Sequence, residues 1–389
     1  METTGISVSG PADTLLAQLR ATFAGRRVFV TGHTGFKGSW LCLWLQRLGA
    51  TVAGYALEPP TEPNLFTLAN IGDGMQSTIA DIRDGERMAA TIAAFRPEIV
   101  FHLAAQPLVR HSYEDPVSTY ATNVMGTVHL LEALRRIDSV RAAVIISSDK
   151  CYDNPAERKS SAGFRETDPM GGDDPYSSSK GCTELVVHAY RHSFFHPDRY
   201  ADHGLALASA RAGNVIGGGD WARDRLIPDL VMAFHTGQPA IVRNPAGVRP
   251  WQHVLEPLYG YLLLADQLYR HGPAFGEGWN FGPDDSDALP VAKIATALAA
   301  AWGDGAQWQL AAHSDQPHEA HVLRLDCQKA RSRLGWKPVC PLPEGLLRVV
   351  EWYRAYHTGA DLRLLCQQQI AAHEAAVLAA ISSQEGTSP

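Results

Sequence analysis

The segment that most constrains the fold is a glycine-rich turn between an apolar strand and a helix. Residues 26–49 read RRVFV, TGHTGFKG and SWLCLWLQRLG, so Gly32, Gly35 and Gly38 lie between strand and helix, and Gly49 stops the helix. This glycine spacing lets the backbone turn tightly and lets a pyrophosphate approach amide N–H groups at the positive end of the helix. A plain tight turn is the alternative, but the strand-turn-helix context favours dinucleotide binding.

The alternation of strands and helices continues after this turn and indicates the fold class. Strands are predicted at residues 51–57, 98–104 and 142–147, and helices at 86–95 and 117–134. Continuous apolar strands between helices indicate a parallel sheet that is covered on both faces. We therefore predict an α/β fold with a doubly wound parallel sheet of the Rossmann type and a second, smaller α/β lobe.

The domain organisation is predicted from a change of character near Gly213, after which glycine and proline become frequent and the elements shorten. A last sheet element and a helix near 254–271 are expected to return to the first domain. The expected units are a lead-in helix at 1–25, a dinucleotide-binding Rossmann domain at 26–212, a lobe made mainly of 213–357 for the substrate, and a C-terminal helix and tail at 358–389.

Composition narrows the class of partner. The 34 Lys and Arg residues against 41 Asp and Glu give a net charge of −7, spread along the chain, which argues against binding to nucleic acid or anionic membranes. Six cysteines stand far apart without a C-x-x-C pair. No apolar run of about 18 residues and no signal-peptide pattern is present. We expect a cytoplasmic protein that binds small molecules.

A second motif is the helix predicted from DPYSSSK, with Asp174 as N-cap and Pro175 at its first position. Tyr176 and Lys180 then share one face, four residues apart. The lysine charge and the positive helix start both favour a phenolate, which suits removal of a proton from a sugar hydroxyl during hydride transfer. A surface tyrosine and lysine are the alternative, which the upstream glycine turn disfavours.

The strand at 142–147 ends in the polar triplet Ser148, Asp149 and Lys150. Ligands of open α/β sheets bind beyond the carboxyl ends of the strands, so these side chains are expected to meet the substrate. The alternative is the start of a solvated loop.

The cofactor is predicted to be NAD rather than NADP. The acid that commonly binds the ribose hydroxyls is expected about 20 residues after the turn, where Glu58 is a doubtful candidate. No arginine stands there for a 2′-phosphate, which favours NAD. His33 and Lys37 are unusual in such a turn, and either contact with phosphate or exposure to solvent fits them.

Three histidines on the Tyr176 helix, His188, His192 and His196, have a spacing that suits zinc. No carboxylate motif accompanies them, and a helix face at a subunit contact explains them as well. We predict no metal site and a homodimer or homotetramer.

At this point the chain resembles a known superfamily, the extended short-chain dehydrogenases/reductases, and within it the sugar-nucleotide 4,6-dehydratases. The resemblance covers residues 27–356. Most 4,6-dehydratases have Thr-Asp-Glu where this chain has Ser148-Asp149-Lys150, and the CDP-glucose branch is similar to this chain in having lysine. The segments that carry the resemblance are TGHTGFKG, FHLAAQP, YATNVMGT, SSDKCYDN, DPYSSSKG, SARAGNVIGGGDW, RPWQHVLEP and QPHEAH.

The resemblance implies a set of ligand contacts. Arg249 corresponds to an arginine aimed at the nucleotide-sugar diphosphate, whose oxygens a guanidinium bridges well. A second phosphate arginine of related enzymes is replaced by Gln316, with His318 and Glu319 beside it. The other implied substrate contacts are Gln106 and Asn214. The implied NAD contacts are Gly32, Gly35, Phe36, Gly38, Asp81, Ile82, Leu103, Ala104, Ala105, Tyr176 and Lys180.

The resemblance also implies the reaction, a dehydration by internal hydride transfer from carbon 4 to carbon 6 of a hexose in deoxysugar biosynthesis for lipopolysaccharide O-antigen. Its steps assign Tyr176 as the base at the 4-hydroxyl, Asp149 as the acid at the 6-hydroxyl and Lys150 as the base at carbon 5. Lys150 acts as a base only when neutral, which burial, the cationic cofactor or Lys180 must favour. A 4-epimerase, a 4-reductase and a non-catalytic NAD sensor remain the alternatives.

Overall fold

The computed structural model describes residues 11–154, 163–311 and 323–385. In these ranges the main element is a seven-stranded sheet with the order β10-β6-β5-β4-β1-β2-β3, in which all neighbouring strands are parallel. This confirms the predicted doubly wound fold. The strands are β1 Arg27–Thr31, β2 Thr51–Ala56, β3 Met75–Ile79, β4 Ile99–His102, β5 Ala142–Ile146, β6 Ala206–Ala212, β7 Asn214–Ile216, β8 Ala240–Val242, β9 Val248–His253, β10 Gly278–Phe281, β11 Ala288–Pro290 and β12 Trp308–Leu310.

Helices cover both faces of the sheet. Short 3-10 turns lie at Asp149–Cys151, Pro197–Arg199, Gly272–Phe275 and Asp285–Asp287, and π-helical turns at Ala121–Met125 and Ala330–Leu334. The α-helices are α1 Pro11–Phe23, α2 Phe36–Arg47, α3 Leu65–Leu68, α4 Gly85–Phe95, α5 Val109–Glu114, α6 Pro116–Tyr120, α7 Gly126–Leu134, α8 Pro175–Ser193, α9 Tyr200–His203, α10 Leu226–His235, α11 Leu255–His271, α12 Val291–Trp302, α13 Leu342–His357 and α14 Leu362–Glu385.

Alternate residues of the central strands enter different hydrophobic clusters. Val28 and Val30 of β1 pack with Trp40 and Trp44 of α2, whereas Phe29 between them packs in a second cluster. Because both faces are covered and largely apolar, most residues of such a strand are hydrophobic, which is why the strands read as nearly continuous apolar runs. No helix in the described ranges combines the length and hydropathy needed to cross a bilayer.

Two small sheets follow β6. β7 pairs with β9 in parallel, with Asn214 opposite Trp251, and β9 pairs with β11 in the antiparallel sense. β8 pairs in parallel with β12. β10 joins the large sheet beside β6 instead. The chain after Gly213 therefore builds the small sheets and also completes an edge of the large one.

The two terminal helices pack on one another and on the body. Leu19 and Phe23 of α1 are buried, and Thr22 donates a hydrogen bond to Asp266 of α11 at 2.6 Å. On α14, Glu374 accepts a hydrogen bond from Trp44 at 3.0 Å and pairs with Arg47 of α2. The first terminal helix is thus bonded to α11, and the last is bonded to α2, the helix that follows the glycine turn.

The structure differs from the predicted elements in two places. β3 was not among the predicted strands, because MQSTI is an edge strand with exposed residues and lacks the apolar run that marks the inner strands. The single helix predicted at 117–134 is divided, with the π-helical turn Ala121–Met125 between α6 and α7. Nothing in the local sequence explains that turn.

Candidate active site

The glycine turn (residues 32–38) is shaped by two close backbone contacts. Gly32 has φ +76°, and a Cβ there would lie 2.7 Å from the backbone N of Ala104. A Cβ on Gly38 would overlap the carbonyl oxygen of Gly32. Gly35, at the N-cap of α2, has only that carbonyl within 4 Å of its Cβ position, at 3.5 Å. The backbone is therefore closely packed at Gly32 and Gly38, whereas there is space at the Cβ position of Gly35. That space fits the approach of a dinucleotide pyrophosphate.

The other predicted cofactor residues lie in the loops that follow the neighbouring strands. Leu103, Ala104 and Ala105 follow β4, and the Ala104 N–H donates to Thr31 Oγ1 at 3.2 Å. Phe36 begins α2 and lies against Gly217. The remaining two follow β3: the Asp81 carboxylate pairs with Arg83 at 2.5 Å, and buried Ile82 packs against Gly126.

The two unusual residues of the glycine turn point into the protein. The His33 ring is buried, and its Nε2 lies 2.7 Å from Ser77 Oγ of β3. Burial lowers the pKa of His33 to about 4, so the ring is neutral. Lys37 donates a hydrogen bond to the Tyr261 hydroxyl at 3.1 Å. Burial, Lys180 and Arg225 together lower the pKa of Lys37 to about 7.

The predicted start of α8 is confirmed. Asp174 is the N-cap and accepts a hydrogen bond from the Ser177 N–H at 2.8 Å, and Pro175 occupies the first turn. Lys180 is buried, with Nζ 3.4 Å from the carbonyl oxygen of Ile146. Burial lowers the pKa of Lys180 to about 8, against the opposing charge of Glu184.

The pKa shift expected for Tyr176 is wrong in direction. The ring is 8% exposed, and burial raises the pKa of Tyr176 to about 12. A hydrogen bond with Ser148 and the charge of Arg225 oppose this rise without overcoming it. The neutral phenol is therefore the resting form, because removal from water outweighs nearby positive charge.

The turn after β5, which we call the Ser148 turn (residues 148–151), brings the polar triplet to Tyr176. Ser148 donates to Asp149 Oδ1 at 3.0 Å and accepts from the Lys150 N–H at 3.2 Å. Asp149 is 3% exposed, and its Oδ2 has no hydrogen-bond partner within the described ranges. Burial raises the pKa of Asp149 despite the charges of Lys150 and Arg249. The raised pKa and the position beside Ser148 suit Asp149 to the role of a proton donor.

The predicted substrate residues are only partly brought together. Arg249 on β9 is 6% exposed, and its positive charge acts to lower the pKa of Asp149. A Cβ at Gly213 would lie 3.0 Å from Asp149 Oδ2. Asn214, the next residue, begins β7. The Gln106 amide instead donates to Leu108 O and Thr119 Oγ1, both at 3.0 Å. Gln316, His318 and Glu319 lie outside the described residues.

Two residues near the site were not predicted. Arg225, which pairs with Asp220 at 2.9 Å, contributes positive charge at both Tyr176 and Lys37. Asn123 donates to Gln106 O at 3.1 Å and to Ser179 Oγ at 2.8 Å, and so links the loop after β4 to α8. Asn123 stands in the segment YATNVMGT, which was noted only as part of the resemblance.

The three histidines do not all lie on the Tyr176 helix as predicted, because α8 ends at Ser193 and His196 is the N-cap of the 3-10 turn that follows. The rings of His188 and His192 are 4.1 Å apart, and those of His192 and His196 are 6.2 Å apart. Over the described part of the chain, no group of three or more His, Cys, Asp or Glu residues is arranged to hold a metal ion.

The sheet, the glycine turn and the Tyr176–Lys180 helix define an extended short-chain dehydrogenase/reductase. The chain belongs to the GDP-mannose 4,6 dehydratase family, whose model matches residues 29–349.

Comparison with individual proteins agrees with this family. The chain is 57% identical over 346 residues to CDP-glucose 4,6-dehydratase of Salmonella typhimurium, covering 89% of this chain and 95% of the relative. It is 30% identical to UDP-glucose 4-epimerase of Mycolicibacterium smegmatis, over 84% and 98% of the two chains. The solved UDP-glucose 4-epimerase of Thermus thermophilus, in complex with NAD, is similar with a TM-score of 0.72 and 25% identity, over 84% and 99%. The dTDP-glucose 4,6-dehydratase DesIV of Streptomyces venezuelae has the same fold, with a TM-score of 0.72 and 24% identity, over 86% and 99%.

Proposed function

We propose that this chain is a hydro-lyase, a CDP-glucose 4,6-dehydratase that converts CDP-D-glucose to CDP-4-keto-6-deoxy-D-glucose with NAD. The observation that carries the proposal is the Ser148 turn, where Ser148 is hydrogen-bonded to Tyr176 and to the buried carboxyl of Asp149, and Lys150 is the next residue of the turn. Exchange at carbon 4 alone needs only Tyr176 and Lys180, whereas elimination of water also needs an acid and a second base. The 57% identity to the Salmonella dehydratase supports the same activity and the same nucleotide.

The side chains divide the reaction among them. Tyr176 takes the proton of the 4-hydroxyl as the carbon 4 hydrogen leaves, and Ser148 supports the developing phenolate through the hydrogen bond between them. Asp149 protonates the departing 6-hydroxyl, a role that suits a buried carboxyl with a raised pKa. Lys150 removes the carbon 5 proton. The charge of Arg225 and the hydrogen bond with Ser148 favour ionisation of the phenol.

The residues that hold NAD are those of the glycine turn together with the loops after β3 and β4. Gly32, Gly35, Phe36 and Gly38 form the cradle for the pyrophosphate, and Asp81 and Ile82 lie where the adenine is expected. Leu103, Ala104 and Ala105 border the cradle, and Tyr176 and Lys180 border the nicotinamide end. NAD, when bound, supplies the oxidising equivalent that accepts hydride from carbon 4 and returns it at carbon 6.

Residues 213–357 form most of the nucleotide-sugar lobe, with Asn214, Arg249 and His318 as substrate contacts. The support is the position of Gly213 and Pro250 against Asp149, which brings β7 and β9 to the reacting end of the sheet. A buried guanidinium such as that of Arg249 suits a diphosphate, because its fork reaches two oxygens. Gln106 contributes through its loop, since its amide is already bonded to Leu108 and Thr119.

The assembly is a homodimer or homotetramer in the cytoplasm. Large apolar side chains are exposed along α5, α6 and α8, with Val117 78% exposed and Leu185 58% exposed, and Tyr113 and Met125 continue the surface. Exposed apolar patches of this kind mark protein contacts. All six cysteines are unpaired, which suits a reducing compartment.

The proposal is tested by incubating the protein and NAD with one nucleotide sugar at a time, namely the CDP-, TDP-, UDP- and GDP-linked hexoses. The products are identified by mass. We expect CDP-glucose to lose one water without net NADH formation, because the hydride returns to the sugar. Accumulation of one NADH per sugar would indicate an ordinary dehydrogenase. A change of stereochemistry without loss of mass would indicate the 4-epimerase that the Mycolicibacterium relative suggests.

A further inference from the structure

We infer that a buried ion pair behind the site, between Glu184 of α8 and Arg211 of β6, is a positioning device that holds both ends of the Ser148 turn. The inference rests on the proposed function, because it concerns the elimination step in which Asp149 and Lys150 act. Neither Glu184 nor Arg211 contacts the reacting atoms, so both are positioning residues.

The ion pair has the geometry of a rigid support. Arg211 Nε donates to Glu184 Oε1 at 2.9 Å, and Arg211 Nη2 donates to Oε2 at 2.8 Å. Both side chains are almost fully removed from solvent, at 5% and 4% exposure. Ser209, which precedes Arg211 on the same face of β6, donates to the same carboxylate at 2.6 Å. A buried charge pair is tolerated when its remaining hydrogen bonds are satisfied, as they are for this carboxylate.

Each member of the pair holds one end of the Ser148 turn. Ser147, immediately before the turn, donates its hydroxyl to Glu184 Oε1. Tyr152, immediately after the turn, accepts from Arg211 Nη1 at 2.5 Å and donates to Asn280 Oδ1 at 2.7 Å. The turn between them carries Asp149 and Lys150. Its two ends are therefore bonded to one fixed, buried unit.

The same carboxylate is also coupled to the other half of the site. Glu184 lies one helical turn after Lys180 on α8, and its negative charge opposes the lowering of the Lys180 pKa by burial. Burial acts to raise the pKa of Glu184. Arg211 and the two serine hydroxyls outweigh this effect and keep the pKa of Glu184 below its usual value. The pair thus connects α8, β6 and the Ser148 turn in one arrangement.

A role in positioning explains why charge is kept at this place. A buried ion pair stabilises a fold no better than apolar side chains of similar volume, but its bonds have one direction each and select one geometry. The acid at carbon 6 and the base at carbon 5 must be held close to their productive positions, because a misplacement of about 1 Å can cost about 10²-fold in rate. Fixing both ends of the Ser148 turn provides that accuracy.

The experiment compares Ser147→Ala with Ser209→Ala, because both remove one hydroxyl donor from the same carboxylate. Only Ser147 adjoins the turn. We expect Ser147→Ala to slow formation of the 4-keto-6-deoxy product by about 10-fold or more, with KM and the first hydride step little changed. Ser209→Ala should keep the wild-type rate, while the two variants lose similar amounts of thermal stability. Ser147→Thr, which keeps the hydroxyl, should recover the rate.

A second measurement does not depend on turnover. Amide hydrogen exchange in residues 147–153 should accelerate in Ser147→Ala and in Tyr152→Phe, but not in Ser209→Ala. The ring left by Tyr152→Phe would still stack on Phe164, as the Tyr152 ring does at a centroid distance of 4.8 Å, so the fold is retained. Equal rates and equal exchange in the two serine variants would overturn the inference. Failure of the wild type to dehydrate CDP-glucose would instead overturn the proposed function, and the exchange data would still decide the positioning role.

Discussion

The glycine turn and the Ser148 turn occupy equivalent places and work in opposite ways. Each follows an inner strand of the sheet, β1 or β5, at the carboxyl edge, where ligands of open α/β sheets bind. The glycine turn depends on missing side chains, since Gly32 and Gly38 leave no room for a Cβ. The Ser148 turn depends on side chains that are present, in hydrogen bonds with one another. Adding one carbon should therefore impair the glycine turn, whereas removing one polar group should impair the Ser148 turn.

The largest effect is expected from removing the single oxygen of Tyr176. Tyr176→Phe keeps a buried ring of the same shape but removes the base at the 4-hydroxyl. Turnover should fall by about 10⁴-fold, while NAD binding and thermal stability stay near the wild-type values. Rapid mixing with CDP-glucose, NAD titration and thermal unfolding measure the three quantities. Loss of NAD binding in this variant would mean that the hydroxyl is structural.

A smaller loss is expected at the end of the Ser148 turn. Lys150→Ala should still oxidise carbon 4, because that step uses Tyr176 and Lys180, but removal of the carbon 5 proton should slow by about 10²- to 10³-fold. The absorbance of reduced nicotinamide should then rise and persist on the enzyme. Lys150→Glu, which restores the third residue of the Thr-Asp-Glu triplet common in 4,6-dehydratases, is the matched variant and should recover part of the rate. Wild-type turnover in Lys150→Ala would assign the second base to another group.

Sequence reasoning succeeded where function depends on local pattern. The spacing of Gly32, Gly35 and Gly38 and the N-cap at Asp174 are properties of a few adjacent residues, and the structure has both as predicted. The inner strands were readable because both faces are buried. Edge strand β3, with its polar residues, carried no such signal.

Prediction from sequence failed where burial or contacts with distant residues determine the orientation or the pKa of a side chain. His33 contacts Ser77 of β3, and Lys37 contacts Tyr261 of α11, so neither orientation is encoded in the turn itself. The pKa of Tyr176 was expected to fall because Lys180 is near, but the depth of burial controls it. Depth of burial depends on the packing of α5, α6 and the Ser148 turn against α8, which spacing along one helix does not show.

Two single-carbon additions distinguish fold from ligand within the glycine turn. In Gly38→Ala the new Cβ overlaps the Gly32 carbonyl, so the turn must shift, at a cost of about 1–3 kcal/mol in stability. In Gly35→Ala the Cβ has ordinary space, 3.5 Å from that oxygen, so the apoprotein should unfold near the wild-type temperature. NAD affinity should fall in both, by about 10-fold in Gly35→Ala, because the methyl occupies the approach of the pyrophosphate. Thermal unfolding with and without NAD checks both, and equal destabilisation of the two variants would contradict the contrast.

The smallest effect concerns His33, a buried and titratable side chain of the glycine turn. The pKa of His33 is lowered from 6.5 to about 4, so between these values the folded state binds fewer protons than the unfolded chain. Stability contributed by neutral His33 is therefore present above pH 6.5 and is lost as the pH falls towards 4. His33→Gln keeps an amide for the contact with Ser77 but does not titrate.

The measurement is the free energy of unfolding in urea at about pH 8 and about pH 5 for both proteins. Between those values the wild type should lose more stability than His33→Gln, by at most about 1.4 kcal/mol for each pH unit below the ordinary histidine pKa. The difference at the higher pH, where the ring is neutral in both states, isolates the packing cost of the substitution. Other buried histidines with lowered pKa values, such as His102 and His373, titrate identically in both proteins and cancel. If the stabilities of the wild type and His33→Gln depend on pH in the same way, the His33 ring is accessible to solvent and is not buried by the glycine turn.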